Sequence, residues 1–150
     1  MNRRKFLTLS VATAMVLPLG AWATDYRTLK PTAWTAKKVD DAVKALYGDV
    51  ELIESSDLVV KAPKVATGAV PITIQTSIQA KSVSLFQDVN PESAVATWTV
   101  PEDGIVDYRL KIKLRQTENP AVVSVVVEGR DGKFYTAHTV VTVAGATCEG

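Results

Sequence analysis

The sequence predicts an all-β fold, an immunoglobulin-like β-sandwich of about seven strands with one N-terminal helix and a flexible C-terminal arm. Three observations carry that expectation. Short apolar runs recur from Val50 to Val143, separated by turn-forming clusters at intervals of roughly 8–12 residues. Asp107–Arg115 alternates strictly, with Tyr108, Leu110, Ile112 and Leu114 on one face and Arg109, Lys111, Lys113 and Arg115 on the other, as a half-buried strand requires. Helical spacing is confined to one stretch, Thr35 to Tyr47.

Residues 1–23 read as an export signal. Asn2-Arg3-Arg4-Lys5 is a positive start, Phe6 to Gly20 is moderately apolar, and Ala21 and Ala23 place small residues at the cleavage site. Arg3-Arg4-x-Phe6-Leu7 resembles a twin-arginine signal, which implies export of a folded chain to a bacterial periplasm. The apolar run is short and broken by Pro18 and Gly20, so no stable membrane anchor is expected.

The remaining chain reads as one domain, 24–143, followed by the arm, 144–150. Residues 24–34 lack any period and read as a leader. In the helix, Val39, Ala42, Val43, Leu46 and Tyr47 share one face, with Thr35 as the expected N-cap and Gly48 as the stop. Strands are expected over Val50–Glu54, Leu58–Ala62, Val70–Thr76, Ser82–Gln87, Val95–Val100, Asp107–Arg115, Ala121–Glu128 and Lys133–Val143. Turn clusters at Ala66–Gly68, Asp88–Glu92, Pro101–Gly104 and Thr117–Pro120 separate them. Ala121–Glu128 is nearly continuous in β-branched residues and reads as a strand covered on both faces. Gly129-Arg130-Asp131-Gly132 reads as a hairpin turn.

Charge excludes some partners. The chain has 17 basic and 16 acidic residues; once Arg3, Arg4 and Lys5 leave with the signal the remainder is formally −2. That balance offers no footprint for nucleic acid or an anionic membrane.

The cysteine count is the most informative number. Cys148 is the only cysteine, two residues before the end of the chain. An exported protein lives in an oxidising compartment, so a single thiol either pairs with another molecule or remains reactive. Small residues around it, Ala144-Gly145-Ala146 and Gly150, do not anchor the segment by burial, and six residues beyond Ala144 extend at most about 20 Å. The spacing describes a thiol on an arm. No metal site is expected, because the one histidine, His138, falls inside a strand. Asp40-Asp41 and Glu102-Asp103 are paired carboxylates, but one pair lies on the polar helix face and the other in a turn, so they read as solvated surface. Trp34, Phe86 and Trp98 are the aromatics that either pack in the core or line an interface. No nucleophile elbow or phosphate loop is present, and the chain does not read as an enzyme.

These features together resemble a known family. The twin-arginine-like signal, Ala45-Leu46-Tyr47-Gly48-Asp49, Lys61-Ala62-Pro63 before Val70-Pro71, Leu85-Phe86 before Asn90-Pro91, and Asp131-Gly132-Lys133-Phe134-Tyr135 before a cysteine-bearing tail are similar to SoxY, the sulfur carrier of the Sox thiosulfate-oxidation system. The resemblance implies a covalent carrier without a bound cofactor, holding thiosulfate-derived sulfur on Cys148. It implies a heterodimer with a SoxZ-like sandwich protein. It further implies service to a haem thiosulfate-coupling enzyme, a sulfate-releasing hydrolase and a molybdenum sulfane dehydrogenase. The family's arm is usually Gly-Gly-Cys-Gly-Gly, whereas this chain has Ala146-Thr147-Cys148-Glu149-Gly150. Thr147 is β-branched and Glu149 is long and anionic, so this arm is thicker and disfavours the thiolate. A second reading is an exported docking module that uses Cys148 for an intermolecular disulfide.

Overall fold

The computed structural model describes residues 24–145. The chain opens with two short helical turns where an irregular leader was expected. Asp25 caps the first, α1 (Tyr26–Leu29), its Oδ1 accepting from the backbone N–H groups of Arg27 at 3.1 Å and Thr28 at 3.3 Å. Pro31 starts a 3-10 turn, Pro31–Trp34, as proline suits a first helical position. Trp34 pins both turns: its Nε1 donates to the Tyr26 carbonyl at 3.1 Å, and the Arg27 guanidinium lies 4.6 Å from its ring centre.

Helix α2 (Val39–Tyr47) starts later than its periodicity predicts. Lys38 is still extended and takes the N-cap position. Thr35 is not the cap, because its hydroxyl donates to the Thr32 carbonyl at 3.3 Å and so belongs to the preceding turn. Gly48 ends the helix as expected, at φ +82°, its N–H donating to the Lys44 carbonyl at 2.8 Å.

Two sheets pack face to face. The larger runs in the order β1 (Leu52–Glu54), β9 (Phe134–Ala144), β8 (Ala121–Gly129), β5 (Ala80–Gln87), β6 (Ala94–Thr99), with β3 (Val65–Thr67) also paired to β9. The smaller runs β2 (Leu58–Lys61), β4 (Ala69–Thr76), β7 (Val106–Lys113). β1 and β3 lie parallel to β9, and every other pair is antiparallel. The expected β-sandwich is therefore present, with nine strands among the described residues in place of about seven. β3 was read as part of the Ala66–Gly68 turn; three residues carry too little pattern to announce a strand whose partner lies far along the chain.

The core has two compartments. Val70, Ile72 and Ile74 of β4 meet Leu85 of β5 and Val123, Val125 and Val127 of β8 between the sheets. On the opposite face of the larger sheet, Phe86 and Val126 meet Ala42, Val43 and Leu46 of α2. β8 serves both, which is why its sequence is almost unbroken valine. The aromatics divide accordingly. Phe86 is fully buried, Trp34 is half-buried against the α2 compartment, and Trp98 packs on Tyr108 across the sandwich with ring centres 5.1 Å apart.

Gln87 is the polar group inside this packing. It is fully buried at the end of β5. Its Oε1 accepts from the N–H groups of Val89 at 2.8 Å and Asn90 at 2.6 Å, and its Nε2 donates to the Glu92 carbonyl at 2.6 Å. The loop is thereby held from inside, and Asn90 passes the constraint on: its Nδ2 donates to the Lys113 carbonyl and its Oδ1 accepts from the Arg115 N–H, both at 2.8 Å. Gln87→Leu leaves two partly buried N–H groups without their acceptor and is expected to cost about 1–3 kcal/mol in urea unfolding; a loss below about 0.5 kcal/mol, the level of a neutral surface change, would contradict this role.

Candidate functional site

The residues singled out for export (Arg3, Arg4, Phe6, Leu7, Ala21, Ala23) and the cysteine with its neighbours (Ala146, Thr147, Cys148, Glu149, Gly150) lie outside the described residues. Gly145 lies inside, as the last described residue, and the structure defines its surroundings.

That place is built by β9. Val141 is the last β9 residue paired to β8, opposite Ala121. Thr142, Val143 and Ala144 run on and are held on the other edge by β3, in register with Val65, Ala66 and Thr67. The Thr142 N–H donates to the Lys64 carbonyl at 2.8 Å. Ala66 points into the sandwich, its exposure 9%, so a small buried anchor ties the clamp to the core. Gly68, at φ +74°, turns the chain directly from β3 into β4. Gly145 then sits against Gln116: a Cβ there would stand 2.7 Å from Gln116 Oε1. Sequence reasoning missed both β3 and Gln116, because each acts through a contact with a residue distant in the chain.

Other polar groups form separate sites. On the outer face of the larger sheet the Tyr47 hydroxyl lies 2.5 Å from Ser84 Oγ and 3.1 Å from Ser82 Oγ. Ser84 continues to Thr97 Oγ1 at 2.9 Å, and Ser82 donates to Glu128 Oε2 at 3.0 Å. The network locks α2 onto the sheet. Burial is the main cause that pushes the Tyr47 phenol up to about 12; the two serine hydrogen bonds oppose it, and the charges of Tyr26 and Glu128 add to it. His138 is exposed on β9, opposite Ser124 of β8. It lines a shallow cleft of 320 Å³ with Glu54, Ser55 and Ser56. Ser55 Oγ accepts from the Asp57 N–H at 3.2 Å, a local turn contact rather than activation by an imidazole. Asp40 and Asp41 occupy the exposed first turn of α2, and Glu102 and Asp103 an exposed turn before β7. Among the described residues, no three His, Cys, Asp or Glu side chains are grouped to hold a metal. No helix among them is long and apolar enough to cross a membrane.

Comparison with known proteins agrees with this architecture. The family model for sulfur oxidation protein SoxY matches residues 43–148, a span that takes in Cys148. The solved sulfur carrier protein SoxY from Chlorobium limicola f thiosulfatophilum is 32% identical. Its match covers 71% of this chain and 96% of that one, with a TM-score of 0.62. A superoxide reductase (neelaredoxin) variant from Ignicoccus hospitalis matches at 11% identity, over 72% of this chain and 90% of its own, with a TM-score of 0.50. At that identity the likeness concerns the fold alone. No curated protein matches.

Two measurements check the geometry. Ala66→Asp places a carboxylate in the core position of β3 and is expected to release the clamp. The Thr142 amide should then exchange at least about ten times faster while Val125 in β8 keeps its protection; equal exchange would mean that β3 holds nothing. For Tyr47, the unfolded phenol ionises near 10 and the folded one near 12. The contribution is thus complete below pH 10 and is lost as pH rises towards 12, by on the order of 2–3 kcal/mol. Tyr47→Phe should flatten that slope relative to the wild type, and an unchanged alkaline slope would refute the assignment.

Proposed function

The chain belongs to the SoxY family, whose members are carriers rather than enzymes, and on that premise we propose that it is a periplasmic sulfur carrier that holds thiosulfate-derived intermediates covalently on Cys148. The observation that carries the reading is positional. The only cysteine of the chain lies within the span matched by the family and three residues past Gly145, where the sheet lets go. The twin-arginine-like start, Arg3-Arg4-x-Phe6-Leu7, supports export.

The chemistry follows from a thiol and its visitors. Coupling the Cys148 sulfur to thiosulfate forms one S–S bond, releases the thiol proton and gives up two electrons, which the haem thiosulfate-coupling enzyme accepts. Water then splits the outer S–S bond by attack at the sulfonate sulfur. Sulfate leaves with two protons, and a persulfide remains on the cysteine. The molybdenum sulfane dehydrogenase oxidises that remaining sulfur to a sulfonate, with three waters supplying the oxygens, six electrons passing to the enzyme and six protons released. The sandwich supplies no group to any of these steps; it presents the thiol and stays outside. A SoxZ-like partner completes the carrier as a heterodimer.

A free thiol near neutral pH is only a few per cent ionised at its reference pKa of about 8.5. Glu149 follows Cys148 directly in the sequence, and a carboxylate at that spacing disfavours the thiolate by about 0.5 kcal/mol in water. Activation therefore belongs to the pocket of the visiting enzyme. The thicker Ala-Thr-Cys-Glu-Gly arm calls for a wider, more basic channel than a glycine arm needs.

Intact mass measurement of the protein from its own periplasm, with thiosulfate supplied, is the direct test. A reductant-labile gain matching thiosulfonate or added sulfur, absent in Cys148→Ala, is the expected result. An unmodified thiol or a plain disulfide dimer would replace the carrier with a docking module that uses Cys148 to pair.

A further inference from the structure

The solvent face of the three-stranded sheet runs from mixed charge at the Asp107 end to cations alone at the end nearest Gly145. The pairing registers place Lys61, Thr73 and Arg109 in one row across β2, β4 and β7, Pro71 beside Lys111, and Ala69 beside Lys113. All four cations are exposed. Asp107 lies 3.6 Å from Arg109. Among the described residues no carboxylate comes within 4 Å of Lys61, Lys111 or Lys113. Arg115, also exposed, extends the row beyond β7.

Both edges of this sheet need charge to discourage pairing with another chain. That need accounts for charged residues but not for their sign. Elsewhere the surface mixes signs: Lys37 and Lys38 with Asp40 and Asp41, Lys44 with Asp49 at 2.9 Å, Lys81 with Glu128 at 3.3 Å. Residues 24–145 are net negative by one, since Arg3, Arg4 and Lys5 drop out of the 17 basic residues and Glu149 out of the 16 acidic. A cationic face on a net negative body is segregation of charge.

The gradient has a direction. Asp57, Asp103 and Asp107 gather where Thr76 pairs with Val106. The cations run the other way, to Ala69 opposite Lys113, where Gly68 joins β4 to the β3 clamp. Gln116, just past Arg115, touches the place of Gly145. The end of β7 is held in position by Asn90, which bonds the backbone on both sides of Leu114. The cationic row thus ends, on a fixed backbone, at the root of the arm.

We propose that this face is the docking surface for the enzymes that act on the arm, and that those enzymes present a carboxylate-rich patch beside the basic opening that admits it. The proposal rests on the carrier reading for its choice of partner. Eight paired positions on β4 and β7 and four on β2 span on the order of 300 Å², well under half of the ~800 Å² that each partner commits in a stable complex. Such a contact suits a short visit. Charge of this kind raises encounter rates by factors of about 10 to 1,000, and salt screens it over roughly 8 Å. A carrier that must be released by one enzyme and caught by the next gains speed without gaining residence time.

The test uses Cys148→Ser protein, so that binding is read without chemistry. The probe is the haem thiosulfate-coupling enzyme of the same organism, titrated at low and at physiological salt. Lys111→Glu with Lys113→Glu is expected to raise the Kd at least tenfold at low salt and to flatten its salt dependence. Lys37→Glu with Lys38→Glu, on the other sheet's side, should leave the Kd within twofold. Equal binding by both double variants overturns the proposal, as does a wild type that ignores the enzyme, whether or not it adheres to phosphatidylglycerol vesicles. A wild type that binds through Lys111 and Lys113 but never gains a sulfur adduct keeps the docking face and removes the carrier. An intact Cys148 loaded equally fast with and without the two lysines does the reverse.

Discussion

The pairing of β8 with β9 is the constraint from which the other features follow. Eight consecutive pairs, from Ala121 opposite Val141 to Glu128 opposite Phe134, set which β9 side chains face the sandwich. A slip by one residue would turn every one of them to the wrong face. The same register fixes where β9 outruns its partner, and therefore where the chain leaves the sheet. It leaves Phe134 on the helix side, where the ring meets Tyr47 at 5.1 Å, so the α2 compartment also depends on it. One alignment of two strands positions core, helix and arm.

Much of this was legible in the sequence, for identifiable reasons. The alternation from Tyr108 to Leu114 and the valine run of β8 announce strands because their periods reflect burial on one face and on two. Gly48 announces the helix end because only a residue free to take positive φ closes it there. Thr35 misled, since a hydroxyl that caps a helix equally well closes a turn. The two N-terminal turns were invisible because Trp34, which gathers them, acts through ring contacts rather than spacing. β3 was hidden by its length and by a parallel partner some 75 residues on, in the register Val65 to Thr142. Cys148 stands out by count alone, and it lies outside the described residues. Gln116 and Lys64, which flank the arm's root, carry no local signal of any kind.

The division of labour inside the molecule is sharp. Groups with the strongest structural duties, such as Gln87, Tyr47 and Ser84, are enclosed and satisfied by fixed partners. On the carrier proposal the reacting thiol, Cys148, lies further along the chain than all of these groups, and its ionisation and its reaction partners are left to the visiting enzyme.

The β3 clamp has a mechanical meaning. Tension applied to the chain past Gly145 would reach the body along the axis of β9. Hydrogen bonds to β8 on one edge and to β3 and β1 on the other lie across that axis, so they are strained together instead of peeled one by one. Force enters in shear. Because β3 holds the last three residues of β9 after β8 has ended, the first bonds to feel the load lie on the side that Gly68 ties back into the second sheet. Such a pull is thus shared between both layers of the sandwich, without fraying at the end of β9.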